Sequence, residues 1–127
     1  MKYLIPFSLC ILMLFSCEIS EGIGGRAAIQ GKILVKDINQ DGEVQDIYYA
    51  GEYSVYIIYG DNIVFDDDVE THFDGTFIFN YIYPGKYTVF AYSKCNTCPG
   101  EQDVVTREVI IEEKDELVEL EDLVVYD

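Results

Sequence analysis

Beyond residue 26 the chain is written in short stretches in which every second side chain is apolar. Glycine, proline, asparagine and aspartate separate them. A period of two is the signature of a half-buried strand, and it leaves little room for helices. Ala27 to Lys36 puts Ile29, Gly31, Ile33 and Val35 on one face. Ser54 to Tyr59 is β-branched and aromatic, and Gly60-Asp61-Asn62 turns it into Ile63-Val64-Phe65. Thr76 to Asn80 puts Phe77 and Phe79 on one face; Lys86 to Ser93 does the same with Tyr87, Val89 and Ala91. Val104 to Glu112 and Leu117 to Tyr126 supply the remaining alternation. Seven short strands with turn residues between them predict an all-β, single-domain β-sandwich over residues 27–127. Glu112 to Asp122 is the one acidic, mixed stretch that reads as a short helix or turn.

The first residues follow different rules. Lys2 is a minimal positive start, Tyr3 to Phe15 is apolar, and the small Ser16 precedes Cys17. This is the layout of an export signal, and the apolar part is short for a permanent membrane span. Leu14-Phe15-Ser16-Cys17 resembles a bacterial lipobox. The resemblance implies a lipoprotein signal peptide over residues 1–17 and a lipid anchor on Cys17. It also implies a place in the cell envelope, at the outer membrane, on its periplasmic or its outer face. Residues 18–26, with three glycines and three charged side chains, read as a flexible tether.

Charge narrows the partners. The 127 residues hold 24 acidic and 8 basic side chains, a formal −16, and all the acidic ones follow Cys17. Such a surface repels nucleic acid, which is excluded as a partner. Eleven tyrosines and seven phenylalanines are too many aromatics for a disordered acidic chain.

Of four cysteines, Cys10 lies in the expected leader and Cys17 carries the expected acyl group. Cys95-Asn-Thr-Cys98-Pro-Gly remains. In an exported protein this pair reads first as a disulfide closing a turn. Free thiols, or metal or redox chemistry, are the alternatives. A redox pair belongs at a helix start, and Pro99-Gly100 with no helical period follows instead.

Asp37-Ile-Asn39-Gln-Asp41-Gly42-Glu43-Val-Gln-Asp46 alternates oxygen-bearing side chains around a glycine turn, which suits a hard cation. The twelfth position of an EF-hand loop would be Tyr48, and the flanks are strand-like, so an EF-hand is not expected. Gly31 to Gly42 is similar to the opening of the B-type repeats of serine-aspartate repeat surface proteins, which are Cna-B-like sandwiches. That resemblance implies calcium held by Asp37, Asn39, Asp41 and Asp46. The alternative is an Asx-rich turn without metal.

A second stretch resembles a family more broadly. Thr71-His-Phe-Asp74-Gly75-Thr-Phe77-Ile-Phe79-Asn-Tyr-Ile82-Tyr-Pro84-Gly85-Lys-Tyr87-Thr-Val89 is similar to carboxypeptidase-regulatory-like and Cna-B-like domains. Both are prealbumin-like (Ig-like) sandwiches, and the resemblance implies accessory, adhesive or structural roles without catalytic residues. Independently of it, Asp74-Gly75 and Pro84-Gly85 are turn sequences, and Phe77, Phe79, Ile82, Tyr87 and Val89 are expected in one core.

The chain is therefore expected to be a non-enzymatic structural or interaction module of the envelope, with envelope proteins or glycans as partners. The alternative is a carbohydrate- or peptide-binding accessory subunit of an uptake or adhesion complex. Tyr48, Tyr49, Tyr53, Tyr56, Tyr81, Tyr83 and Tyr92 are numerous enough to form a contact patch. If they share one sheet face, binding is favoured over a purely structural role.

Overall fold

The computed structural model describes residues 20–127. The expected signal peptide, with Cys17, lies outside them, and among the described residues no helix is long and apolar enough to cross a membrane.

The described chain is all-β, with two sheets enclosing one core. The strands are β1 Ile23–Ile38, β2 Val44–Tyr49, β3 Ser54–Tyr59, β4 Asp67–Glu70, β5 Thr76–Ile82, β6 Gly85–Lys94, β7 Gln102–Ile111, β8 Leu117–Glu119 and β9 Leu123–Tyr126. A short 3-10 turn spans Pro99–Glu101. One sheet has the order β4-β3-β6-β7, all antiparallel. The other is built around β1, which pairs antiparallel with β2 and β5 and parallel with β8 and β9.

The long β1 serves both of its edges. Backbone groups of Ala28, Gln30, Lys36 and Ile38 bond to the C-terminal strands and their flanks, while Ile33 bonds to Gly75 and Ala50 on the other side. Its inward side chains are Ala27, Ile29, Ile33 and Val35, all buried. Gly31 interrupts this row because Phe77 needs the space: a Cβ there would sit 2.6 Å from Phe77 Cζ. Facing them across the core are Val55, Ile57, Tyr87, Val89, Ala91, Val109 and Ile111, with Phe79, Ile82, Leu123 and Val125 closing the interior. The core expected from Phe77, Phe79, Ile82, Tyr87 and Val89 is present.

Among the described residues there are nine strands where seven were expected. Ile63-Val64-Phe65 is not a strand but an exposed loop. Val44–Tyr49, whose first three residues were expected within a cation loop ending at Asp46, pairs with β1 in register Asp37↔Asp46. Asp67–Glu70 is an edge strand on β3; a short edge strand studded with carboxylates resists pairing with another chain. The last strand is broken after Glu119, and Glu113–Glu116 is a turn rather than a helix.

The sheet also starts earlier than residue 27. β1 begins at Ile23, which pairs with Ile82, and Gly22 bonds to both Tyr83 and Tyr87. Glycines 24 and 25 in the expected tether are there for fit. A Cβ on Gly24 would lie 2.7 Å from Tyr83 Oη, and one on Gly25 would collide with the Ile82 carbonyl.

The Asp74-Gly75 turn forms as expected, and at Pro84 the chain bends from β5 straight into β6 of the other sheet. Gly75 has φ +84° and donates its N–H to His72 O, while Asp74 Oδ1 accepts the Thr76 N–H. Thr71, one of two buried polar residues among those described, donates its hydroxyl to Ala50 O and accepts the Tyr53 N–H. That connects the chain segments flanking the crossing between sheets.

Candidate functional site

The outer face of the β4-β3-β6-β7 sheet carries an aromatic cluster. Strand alternation produces it: Tyr87, Val89 and Ala91 point inward, so Phe90 and Tyr92 point outward from β6. Val55 and Ile57 point inward from β3, so Tyr56 points outward beside Phe90. Tyr56 stacks on Phe90 with ring centroids 5.1 Å apart at 17°. Tyr92 meets both edge-on, at 5.4 Å from Tyr56 and 5.7 Å from Phe90. Phe65, from the loop after β3, closes on Tyr56 at 4.8 Å.

This packing buries Phe90 to 8% exposure on a face that has no second layer. Phe65 and Tyr92 remain open to solvent, and Val104 is an exposed apolar neighbour opposite Tyr92 on β7. Polar groups border the rings along the ladder. Asp68 stands opposite Tyr56, and Thr106 opposite Phe90. One step along, Ile58, Thr88 and Glu108 lie in line. The face therefore offers the rings of Tyr92 and Phe65, with Val104 beside them and Tyr56 half-buried, over a buried Phe90, and hydroxyl and carboxylate oxygens around them. Tyr53 supports it from the side by donating its hydroxyl to the Tyr92 carbonyl. Its burial, with Asp127 close by, pushes the Tyr53 phenol above its ordinary pKa.

The seven tyrosines do not form one patch. Tyr56 and Tyr92 belong to the outer face, with Tyr53 beside it. Tyr48 and Tyr49 lie on β2 in the other sheet. Tyr49 donates its hydroxyl to Asp122 at 2.8 Å, and Lys32 Nζ sits 4.9 Å above its ring. The Asp122 carboxylate raises the Tyr49 pKa, because it stabilises the protonated phenol. Tyr81 and Tyr83 lie at the β5–β6 end. Tyr83, Pro84, Gly24, Gly25, Arg26 and Lys114 line a cleft of about 470 Å³ there. Arg26 pairs with Asp115 at 3.1 Å on its rim, an exposed ion pair. Sequence reasoning missed Phe65 and Phe90. The Tyr-Thr-Val-Phe-Ala-Tyr run of β6 held the signal for Phe90, since aromatics fall on both of its faces.

The stretch expected as a cation loop takes the form of an Asx-rich turn. Asn39 Oδ1 accepts the N–H groups of Asp41 and Glu43, both at 2.9 Å, and Gly42 N–H donates to Asn39 O. Asn39 thus closes its own turn. Asp46 Oδ1 accepts its neighbour's N–H, from Ile47. Asp37 and Asp46 are cross-strand partners, and Asp41 is exposed at the turn. Among the described residues no three His, Cys, Asp or Glu side chains are placed to hold a metal ion.

Cys95 and Cys98 are joined as a disulfide, with Cα atoms 5.3 Å apart, in the turn between β6 and β7.

No protein-family model and no curated protein matches the chain. Among solved structures it is similar to a candidate carbohydrate binding protein from Pseudomonas aeruginosa. The TM-score is 0.48 and the identity 15%, over 84% of this chain and 91% of that one.

Proposed function

We propose that this protein is a non-catalytic carbohydrate-binding module, a prealbumin-like sandwich held at the outer membrane by acylated Cys17. The observation that carries the reading is the Tyr56–Phe90–Tyr92 cluster, bordered by Asp68, Thr88, Thr106 and Glu108. A sugar ring presents an apolar C–H face and a belt of hydroxyls. Flat aromatic rings suit the first, and carboxylate and hydroxyl oxygens suit the second. Rings fixed on a sheet lose little conformational entropy when a ligand docks. The acidic border selects neutral or amino sugars, because an anionic polymer would be repelled.

The anchor rests on Lys2, the apolar run and Ser16-Cys17. Metabolic labelling with a fatty acid should tag the wild type and not Cys17→Ala. For the site, the purified protein is applied to a glycan array with Tyr92→Ala and Tyr56→Ala beside it. The reading expects a defined set of neutral glycans to bind, and both variants to lose at least tenfold in affinity while melting as folded proteins. An array without hits, together with envelope proteins co-purifying through this face, would replace it with the structural or interaction role.

A further inference from the structure

We infer that the β3–β4 loop is a second membrane contact, which dips Ile63 and Val64 into the interface of a zwitterionic bilayer beside the lipid anchor. The inference rests on acylation of Cys17 and goes beyond it by fixing how the domain stands on the membrane.

Three consecutive large apolar residues are exposed at the tip of this loop: Ile63 at 96%, Val64 at 68% and Phe65 at 43%. Such a run is rare on a water-facing surface unless it binds something. The loop does not expose them by fraying, because its base is clamped. Asp66 accepts the Tyr59 N–H at 2.7 Å and both carboxylate oxygens accept from Asn62 Nδ2 at 3.0 Å. Gly60 N–H donates to Lys86 O, and Asp66 N–H to Ile57 O, both at 2.8 Å. Phe65 is held from beneath by Tyr56. Ile63 and Val64 are thus presented on a fixed stem.

The occupant follows from where the chain enters the domain. Glu21 lies against the start of this same loop: a Cβ on Gly60 would be 3.2 Å from Glu21 Oε2, and one on Gly22 would touch the Tyr59 ring. Cys17 is four residues before Glu21. Four residues span at most about 14 Å, so an acyl chain on Cys17 puts this end of the sandwich against the bilayer. Charge selects the lipid. Asp61 is already paired with Lys86 at 3.2 Å, and Asp66 is spent on the loop base. The acidic β4 behind them repels anionic headgroups but tolerates choline or ethanolamine ammonium groups. Two aliphatic side chains at the interface give weak binding alone, and the covalent anchor converts it to an intramolecular contact.

The chain has no tryptophan, so a single one reports its own surroundings. The full chain is expressed in a bacterium that acylates lipoproteins, and the acyl mass on Cys17 is read first. Val64→Trp is compared with Val44→Trp, in vesicles of phosphatidylethanolamine and phosphatidylcholine. Val44 is exposed beyond the other end of β1, opposite Ile38. The expected result is a blue shift for Trp at position 64, quenching by bromine-labelled acyl chains and shielding from iodide, with none of these at position 44. Acylated protein in which both tryptophans stay iodide-accessible overturns the loop contact and leaves the lipoprotein reading standing. So does equal lipid quenching at both positions. Protein that carries no acyl mass on Cys17 overturns both.

Discussion

The backbone N–H of Gly22 donates to the hydroxyl of Tyr87 at 2.9 Å, across 65 positions of sequence. The same hydroxyl donates onward to the Tyr83 carbonyl at 2.5 Å. Tyr87 is fully buried, so one phenol ties the chain entry to the β5–β6 turn from inside the core. Tyr87→Phe keeps the ring and removes both bonds. It should lower stability by about 1–3 kcal/mol, the cost of unpaired buried polar groups. Urea unfolding of the two proteins measures this, and an unchanged midpoint would show the bond to be irrelevant.

Alkaline pH should act through the same residue. Burial raises the phenol pKa of Tyr87, and Glu21 adds to it, against the Gly22 hydrogen bond; burial also raises Tyr53 and Tyr59. A raised folded pKa means the native state keeps protons that the unfolded state releases. The stability from these groups is complete below the unfolded value of 10.0 and is lost as pH rises through the folded values. Melting temperatures should fall above pH 10 together with a late phase of phenolate absorbance. Tyr87→Phe should lose part of that late phase.

Phe77 carries the core from one sheet to the other. It is fully buried, meets Phe79 edge-on at 6.1 Å and fills the space over Gly31. Phe77→Ala should cost about 3–5 kcal/mol by chemical denaturation. Gly31→Val should be similarly severe, since its Cβ already meets the ring; a variant near wild-type stability would mean the pair can part.

The Asn39 turn gives a test of the calcium expectation. With Asn39 Oδ1 accepting two N–H groups, Asn39→Ala should cost about 1 kcal/mol, as for a lost cap. Millimolar calcium and magnesium should raise the melting midpoint equally, by screening the acidic surface. A calcium-specific rise over EDTA that Asp37→Ala and Asp41→Ala abolish would establish the cation site.

The Cys95–Cys98 bridge closes a loop of only a few residues. The oxidised protein should resist alkylation until reduced. Reduction should leave the fold intact, because so short a loop removes little entropy from the unfolded chain. Loss of the sandwich on reduction would show the turn to hold β6 and β7 together.

Period-two alternation fixed which side chains of β1, β5 and β6 point into the core, because a strand has only two faces and one had to be dry. Asp74-Gly75 was legible as a turn for the same local reason. Partner choice between strands is not local. Ile47-Tyr48-Tyr49 was strand-like in composition, but no alternation with a dry face announces Val44–Tyr49 or Asp67–Glu70 as strands, because these edge segments gain their order from β1 and β3 rather than from burial of their own side chains. Ile63-Val64-Phe65 shows the converse: its composition reads as strand, yet the Asp66 clamp turns it into a loop. The aromatic face was half visible as a count of tyrosines. Tertiary structure alone put Tyr49 beside Lys32, sent Tyr81 and Tyr83 to the chain-entry end and gathered Tyr56, Phe65, Phe90 and Tyr92. Composition says how many rings a chain owns; only the register of β3 on β6 decides which of them touch.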